Sequence, residues 1–309
     1  MTGAESLLNV EVCALARDAE ITGGQTAGDP GDDRWIAFCL RFLTSVVYQL
    51  RQTRYSDFTA QVSLKQDGSP VSAIEKNIEA LFRQRLQAFE QTASIAGEES
   101  GGEIDSTGIT LAIDPIDGTW SFINRTETFA TTLALFRQGQ ADLAFAANPA
   151  TGEIAYAGRG GPARLLQLGL ADAPTQGYDL PLPPSAGSGL LVNLHPCRDM
   201  RSAITALVET WEEGNTQLVR SSGGSPVWSM LDAAKGTCTY VNLWPGKPAD
   251  PFDLAAGLLL VRAAGGDVID LSGNAVSATG HSGPFIAGTN KTHLQKAAEI
   301  IRGAVPIDG

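Results

Sequence analysis

Apolar positions along this chain follow two rhythms, and the balance between them changes past its middle. Val71, Ile74, Ile78 and Leu81 are spaced by three and four residues, the repeat of one helical face. Ser72 and Glu75 have the spacing of a capping box at that helix's start. A preceding helix is predicted from Trp35 to Arg51, then a strand ending near Lys65 and a turn at QDGSP. Residues 107–113 (TGITLAI) predict a strand, and residues 128–158 a meander. Its runs are TFATTLALF, ADLAFAAN and EIAYAG, separated by the turns RQGQ and PATG.

Residues 174–189 (PTQGYDLPLPPSAGSG) read as a subdomain junction, and after them strands and helices alternate. GLLVNL reads as a strand, and Asp199 as the cap of a helix with Met200, Ile204, Leu207 and Trp211 on one face. TQLVR, a helix over 225–235, GTCTYVN, a helix from Asp253, GDVIDL, PFIAG and a helix after Thr289 follow. The pattern predicts an α+β subdomain over 1–183 and an α/β subdomain over 184–309. Residues 18–33, polar and glycine-rich, are expected to form a loop.

Composition narrows this picture without redirecting it. With 309 residues, 43% hydrophobic and 18% charged, the chain has the profile of a folded protein with room for two subdomains. No apolar run approaches the ~18 residues that cross a bilayer. The first residues carry acids and no basic segment, so a secretory leader is not expected and a cytoplasmic location is. Cys13, Cys39, Cys197 and Cys238 form no CxxC pair and are expected as reduced, buried thiols. A formal charge of −12 argues against nucleic-acid and anionic-membrane partners. A phosphorylated substrate would then need a bound cation to draw it in.

Three acidic clusters could carry such a cation: Glu98 and Glu99 in AGEES, Asp114 and Asp117 in LAIDPIDGT, and Asp253 in PFDLAAG. Magnesium prefers hard oxygen ligands, and a pair of ions needs a carboxylate that bridges them. In DPID the proline fixes the backbone after Asp114, so Asp117 and the Ile116 carbonyl can turn toward the same point. A helix starting behind them at Gly118 and Thr119 would offer its first N–H groups to an anion. Each element also has a plainer reading. DPIDG can be a surface turn, Glu98-Glu99 a solvated loop, Asp253 an N-cap and Glu75 a capping acid. His195 and His281 are read as structural, and Lys65 and Lys247 as solvated.

AGEES, AIDPIDGTWSFIN and PFDLAAGLLLVRAAGG, in this order and spacing, resemble the inositol monophosphatase superfamily of magnesium-dependent phosphatases. KQDGSPVSAIE and VRSSGGSPVWSMLDAAKGTCTYV resemble further segments of it, so the likeness runs from about Lys65 to Gly266. The resemblance implies a layered α-β-α-β-α sandwich, shared with fructose-1,6-bisphosphatases, and a homodimer. It implies that Glu98, Asp114 and the Ile116 carbonyl hold one metal, and Asp114, Asp117 and Asp253 a second. Two or three magnesium ions per site are expected, with manganese able to substitute and lithium inhibiting. Thr119 and Glu75 would activate water beside Asp117, and Asp117 with the Gly118 and Thr119 amides would hold the phosphate. Ser222, Gly224, Ser225, Trp244 and Lys247 would line the substrate pocket.

Three positions depart from the family pattern. Glu75 stands where an aspartate is usual, and Phe252 replaces the tryptophan before the metal aspartate. The glutamate that inositol-type members carry seven residues before that aspartate, where it binds substrate hydroxyls, is missing from NLWPGKPADPFD; the count reaches Gly246. Trp244 or Lys247 could form that wall, with WPGKP faintly resembling the histidinol-phosphatase branch. The expectation is a phosphomonoesterase for a small metabolite, with a nucleotide or sugar bisphosphate ranked above inositol 1-phosphate and histidinol phosphate. A phosphate-binding relative with weak turnover is the alternative of another class.

Overall fold

A computed structural model of the chain describes residues 30–55, 62–64, 70–169, 174–183, 189–193, 201–214, 219–243 and 248–304. Helix α1 (Pro30–Tyr55) extends past both predicted ends. Pro30 opens it, and Asp32 and Asp33 place negative charge at its N-terminus, where it is favourable. The end of the expected 18–33 loop is therefore helical, and the rest lies outside the described residues. Val71 falls in strand β2 (Pro70–Ser72), paired with β1 (Val62–Leu64), and not on the helical face predicted for it. Helix α2 (Ala73–Phe89) follows, and the predicted capping box between Ser72 and Glu75 is present.

A seven-stranded sheet comes next, in spatial order β3 (Ser94–Gly97), β4 (Ile109–Asp117), β5 (Ala130–Arg137), β6 (Gln140–Asn148), β7 (Glu153–Gly158), β8 (Arg164–Gln167) and β9 (Gln176–Asp179). Only β3 and β4 run parallel, because hairpins suffice for the other connections. The meander is β5 to β7, as its turns predict. β3 and β8 escaped the sequence reading, and β9 lies inside the stretch read as a junction.

The second sheet has the order β11 (Val219–Ser222), β10 (Gly189–Asn193), β12 (Cys238–Asn242), β14 (Phe285–Gly288), β13 (Asp267–Asp270). The remaining helices are α3 (Thr119–Ile123), α4 (Arg201–Gly214), α5 (Pro226–Ala234), α6 (Pro251–Ala263) and α7 (Lys291–Ala304). Asp199 and Met200, placed at the start of α4 by the sequence, lie outside the described residues.

Alternation along β6 shows how the layers form. Leu143, Phe145 and Ala147 pack with Phe42, Phe82 and Leu86 of α1 and α2. Ala144 and Ala146 face the opposite way and pack with α5 and α6. Small side chains on that face let two helices approach the sheet closely, while the large ones fill the other side. The other sides of α5 and α6 meet Tyr240, Phe285 and Ala287 of the second sheet. Val241 and Ile286 point away from them, into Leu207, Trp211 and Ile301 of α4 and α7. The layers are thus α1/α2, seven strands, α5/α6, five strands and α4/α7, an α-β-α-β-α sandwich.

Cys39 and Cys238 are buried and free, and burial raises both thiols far above their ordinary range. Cys13 and Cys197 lie outside the described residues. Among the described residues no helix is long and apolar enough to cross a membrane.

Candidate active site

Strand β4 does not stop at Asp114, as its apolar run suggests, but continues through Pro115 to Asp117. Asp114 pairs with Thr132 and Asp117 with Ala130, so three steps along β4 match two along β5. In a regular strand residues three apart point to opposite faces; the extra residue of this bulge returns Asp117 to the side of Asp114. The Thr131 hydroxyl donates to the Pro115 carbonyl at 2.7 Å and secures the irregularity. Proline suits the position because a bulged residue need not donate to the ladder.

Asp114, Asp117 and Asp253 are each tied down through a carboxylate oxygen. Asp114 Oδ1 accepts the Ile116 N–H at 2.8 Å. Asp117 Oδ2 accepts the Val227 N–H at 3.0 Å and the Ser225 hydroxyl, both at the start of α5. Asp253 Oδ2 accepts the Asp250 N–H at 2.8 Å at the start of α6. The Glu98 N–H donates to the Ile113 carbonyl at 3.1 Å, which seats the end of β3 beside Asp114.

These four acids line one cavity of about 160 Å³. No lysine or arginine is among the described residues that line it. Burial, then the nearby charges of Glu98 and Asp117, raises the Asp114 carboxyl well above the carboxylate range. Burial pushes Asp117 up to about 7 despite the bonds from Ser225 and Val227 that oppose the shift, and Asp253 adds to it. Such a concentration of desolvated negative charge fits a divalent cation with oxygen ligands. The described residues contain no finished group of three acids, histidines or cysteines set to hold one. Like charges disfavour bringing carboxylates together, and the closeness of Glu98 is one cause of the raised Asp114 carboxyl. The donor chemistry fits magnesium, and the side chains would close on the ion.

Glu75 meets its structural and its functional readings at once. Its Oε2 accepts the Ser72 N–H and completes the capping box. Its Oε1 accepts the Thr119 hydroxyl at 2.7 Å, and burial raises its carboxyl. Thr119 lies 3.3 Å from the Ile116 carbonyl and lines the cavity beside Gly118. Gly118 caps α3 with φ 91°, a left-handed conformation, and a side chain there would come within 2.7 Å of the Ser225 nitrogen.

The residues expected to line a substrate pocket separate. Ser225 is fully buried, accepts the Trp228 N–H at 2.8 Å as the N-cap of α5, and faces Asp117 and not the cavity. Ser222 bonds Ser229 at 2.6 Å. Gly224 packs where a side chain would meet the Thr128 carbonyl at 2.0 Å. None of the three is among the described residues that line the cavity. Trp244, Lys247 and Lys65 lie outside the described residues, as does His195.

The described wall opposite DPIDGT consists of Asn242, Ala249, His281, Gly283 and Phe285. Asn242 was missed because counting back from Asp253 assumes a fixed loop length. It ends β12, and in α/β sheets the ends of strands are where ligands bind. His281, read as structural, lies against Phe285 with ring centroids 6.0 Å apart at 73°. Its carbonyl accepts the Ala249 N–H at 2.7 Å. Its Nε2 is closed off from bulk water and has no hydrogen-bond partner among the described residues. No spacing in the sequence signals this.

The family model described as Inositol monophosphatase family matches residues 34–305. An inositol-1-monophosphatase of Rhizobium meliloti is 30% identical over 282 residues, 86% of this chain and 97% of that protein. A histidinol-phosphatase of Chlorobaculum parvum is 29% identical over 224 residues, 69% of this chain and 77% of that protein. A solved IMPase/NADP phosphatase complexed with Mg2+ and phosphate shares the fold, with a TM-score of 0.66 at 21% identity over 87% of this chain and 94% of that one. The layered sandwich, the acid-lined cavity and the match along nearly the whole chain lead to one conclusion: this protein belongs to the inositol monophosphatase family and is a phosphatase.

Proposed function

We propose that the protein is a magnesium-dependent phosphomonoesterase in which water attacks the phosphorus of a small phosphorylated metabolite directly. One observation carries the reading: Glu98, Asp114, Asp117 and Asp253 meet at a single cavity that the Thr119–Glu75 pair also reaches. Glu98, Asp114 and the Ile116 carbonyl would hold one magnesium ion, and Asp114, Asp117 and Asp253 another. Bound magnesium supplies positive charge for the phosphate oxygens, the attacking water and the leaving oxygen.

The chain's own residues do the rest. Thr119 directs its proton to Glu75 Oε1, which leaves its oxygen lone pairs to accept a proton from water. Glu75, raised by burial, is a better proton acceptor near neutrality than an exposed carboxylate. As the water oxygen bonds to phosphorus, the bond to the substrate's alcohol oxygen breaks. One proton of the water stays on the phosphate and the other passes to the Thr119–Glu75 pair. The leaving alkoxide takes a proton from solvent water, Glu75 returns its own to solvent, and the products are ROH and hydrogen phosphate. Gly118 and Thr119 are the backbone amides we assign to the phosphate, since the first N–H groups of a helix have no partner within it. The longer Glu75 suits this geometry because its capping bond and its bond to Thr119 use different oxygens.

For the organic part of the substrate we favour a neutral, hydroxylated or ring-bearing alcohol. The described wall carries no carboxylate, lysine or arginine and mixes Asn242 and His281 with Ala249 and Phe285. The bisphosphate reading depends on Lys247, outside the described residues, and becomes the second choice. A panel of phosphorylated metabolites assayed with magnesium tests both. Chelation should abolish turnover, magnesium or manganese should restore it, and full activity after chelation would overturn the proposal.

A further inference from the structure

Helix α2 turns two acids inward one helical turn apart, Glu75 toward Thr119 and Glu79 toward the loop that carries Glu98. Glu79 is 2% exposed, an unusual position for a carboxylate with no contact to the cavity. Its Oε2 accepts the Glu99 N–H at 2.9 Å, and its Oε1 accepts the Ser100 hydroxyl. Arg83, one turn along the helix, lies 3.2 Å from Oε1 and supplies the countercharge. On the other side of Glu98, Gly97 has no room for a side chain, because a Cβ would fall 2.3 Å from Glu79 Oε1. The Glu79 carboxylate therefore touches the residues on both flanks of Glu98.

We infer that Glu79 is a positioning residue for the metal site: it sets the backbone of Gly97 to Ser100 so that Glu98 faces Asp114. The Glu98 N–H, bonded to the Ile113 carbonyl at 3.1 Å, fixes the loop from the strand side, and Glu79 fixes it from the helix side. A mere structural tie would act on folding alone. A positioning residue acts on magnesium affinity, because the ion must otherwise order Glu98 itself. Since Glu75 and Glu79 share one helix, α2 aligns the proton acceptor and a metal ligand together. The inference rests on the magnesium reading above.

Magnesium binding to purified Glu79→Gln and Glu79→Ala, measured by calorimetry beside the parent protein and Glu98→Gln, tests it. Loss of an outer partner of a metal ligand costs 10–100-fold in metal affinity. The dissociation constant should rise about tenfold in Glu79→Gln, which keeps one acceptor oxygen, and toward a hundredfold in Glu79→Ala. Turnover should recover at saturating magnesium with the substrate KM within twofold, and the metal-free melting temperature of Glu79→Gln should shift by only a few degrees. If Glu98→Gln weakens magnesium and Glu79→Gln binds it like the parent, the positioning role is wrong. A Glu79→Gln variant that melts earlier yet keeps its magnesium affinity is equally fatal. If Glu98→Gln also binds like the parent, the metal reading falls and this inference with it. Should Glu79→Ala fail to fold, Glu79→Gln decides alone.

Discussion

Thr119 and Glu75, 44 residues apart in sequence, are joined by a 2.7 Å hydrogen bond beside the acid-lined cavity. The bond links the start of α3 to the capping box of α2, so the positions of the hydroxyl and its proton acceptor are set by two helix ends.

Glu75→Gln keeps the shape and much of the cap but cannot take a proton. Turnover should fall by ~10²–10⁴-fold, the usual size of a lost general base. Melting should change little, because the variant also relieves a carboxylate that burial disfavours. Steady-state kinetics at saturating magnesium check this, and a loss under threefold would remove Glu75 from the chemistry.

Ser225 and Asp117 make a second long-range pair, 108 residues apart. Asp117→Asn should lower turnover by at least ~10²-fold, the scale of one lost electrostatic contact in a site. Ser225→Ala instead removes an N-cap and should cost about 1 kcal/mol of stability. Its turnover should stay well above that of Asp117→Asn, since Val227 still donates to the carboxylate. Urea unfolding and kcat, measured on both variants, distinguish the two roles.

The raised carboxyls of Asp114 and Asp117 also make a pH prediction for metal-free protein. A carboxyl raised on folding keeps a proton that the unfolded chain has lost, so its stabilising contribution is complete below the unfolded pKa and disappears as pH rises. For Asp117 the window runs from about 4, the unfolded value, to about 7. Stability of the parent relative to Asp117→Asn should fall across this window. Magnesium should reverse the trend, because it stabilises the charged form. Thermal melts at several pH values, with and without magnesium, read this directly; a parent that gains on the variant with rising pH in chelator contradicts it.

His281→Phe keeps a ring against Phe285 and removes the nitrogen without a described partner. If that nitrogen meets the substrate's alcohol portion, KM for the best metabolite should rise about tenfold, near the value of one hydrogen bond. For p-nitrophenyl phosphate, whose leaving group offers no hydroxyl to recognise, KM should stay within twofold. Equal changes for both substrates would return His281 to a packing role.

The sequence alone determined what local chemistry can determine. The capping box at Ser72 and Glu75 needs only residues three apart, and the β5–β7 meander needs only alternation and short turns. The acid clusters were legible because DPIDGT and its companion segments resemble a known family, and the order of layers came from the same likeness. Tertiary structure decided the rest. Proline after an apolar run reads as the end of a strand, and only pairing with β5 shows a bulge that brings Asp117 round to Asp114. Counting residues through a loop pointed to Gly246, which lies outside the described residues, and could not reach Asn242 at a strand end or His281 from a distant segment, both of which line the cavity. Ser225 looked like a pocket residue until the packing of α5 turned it toward Asp117. Periodicity records which face of an element is apolar; which distant side chains share a cavity depends on how the faces stack, and no local spacing encodes that.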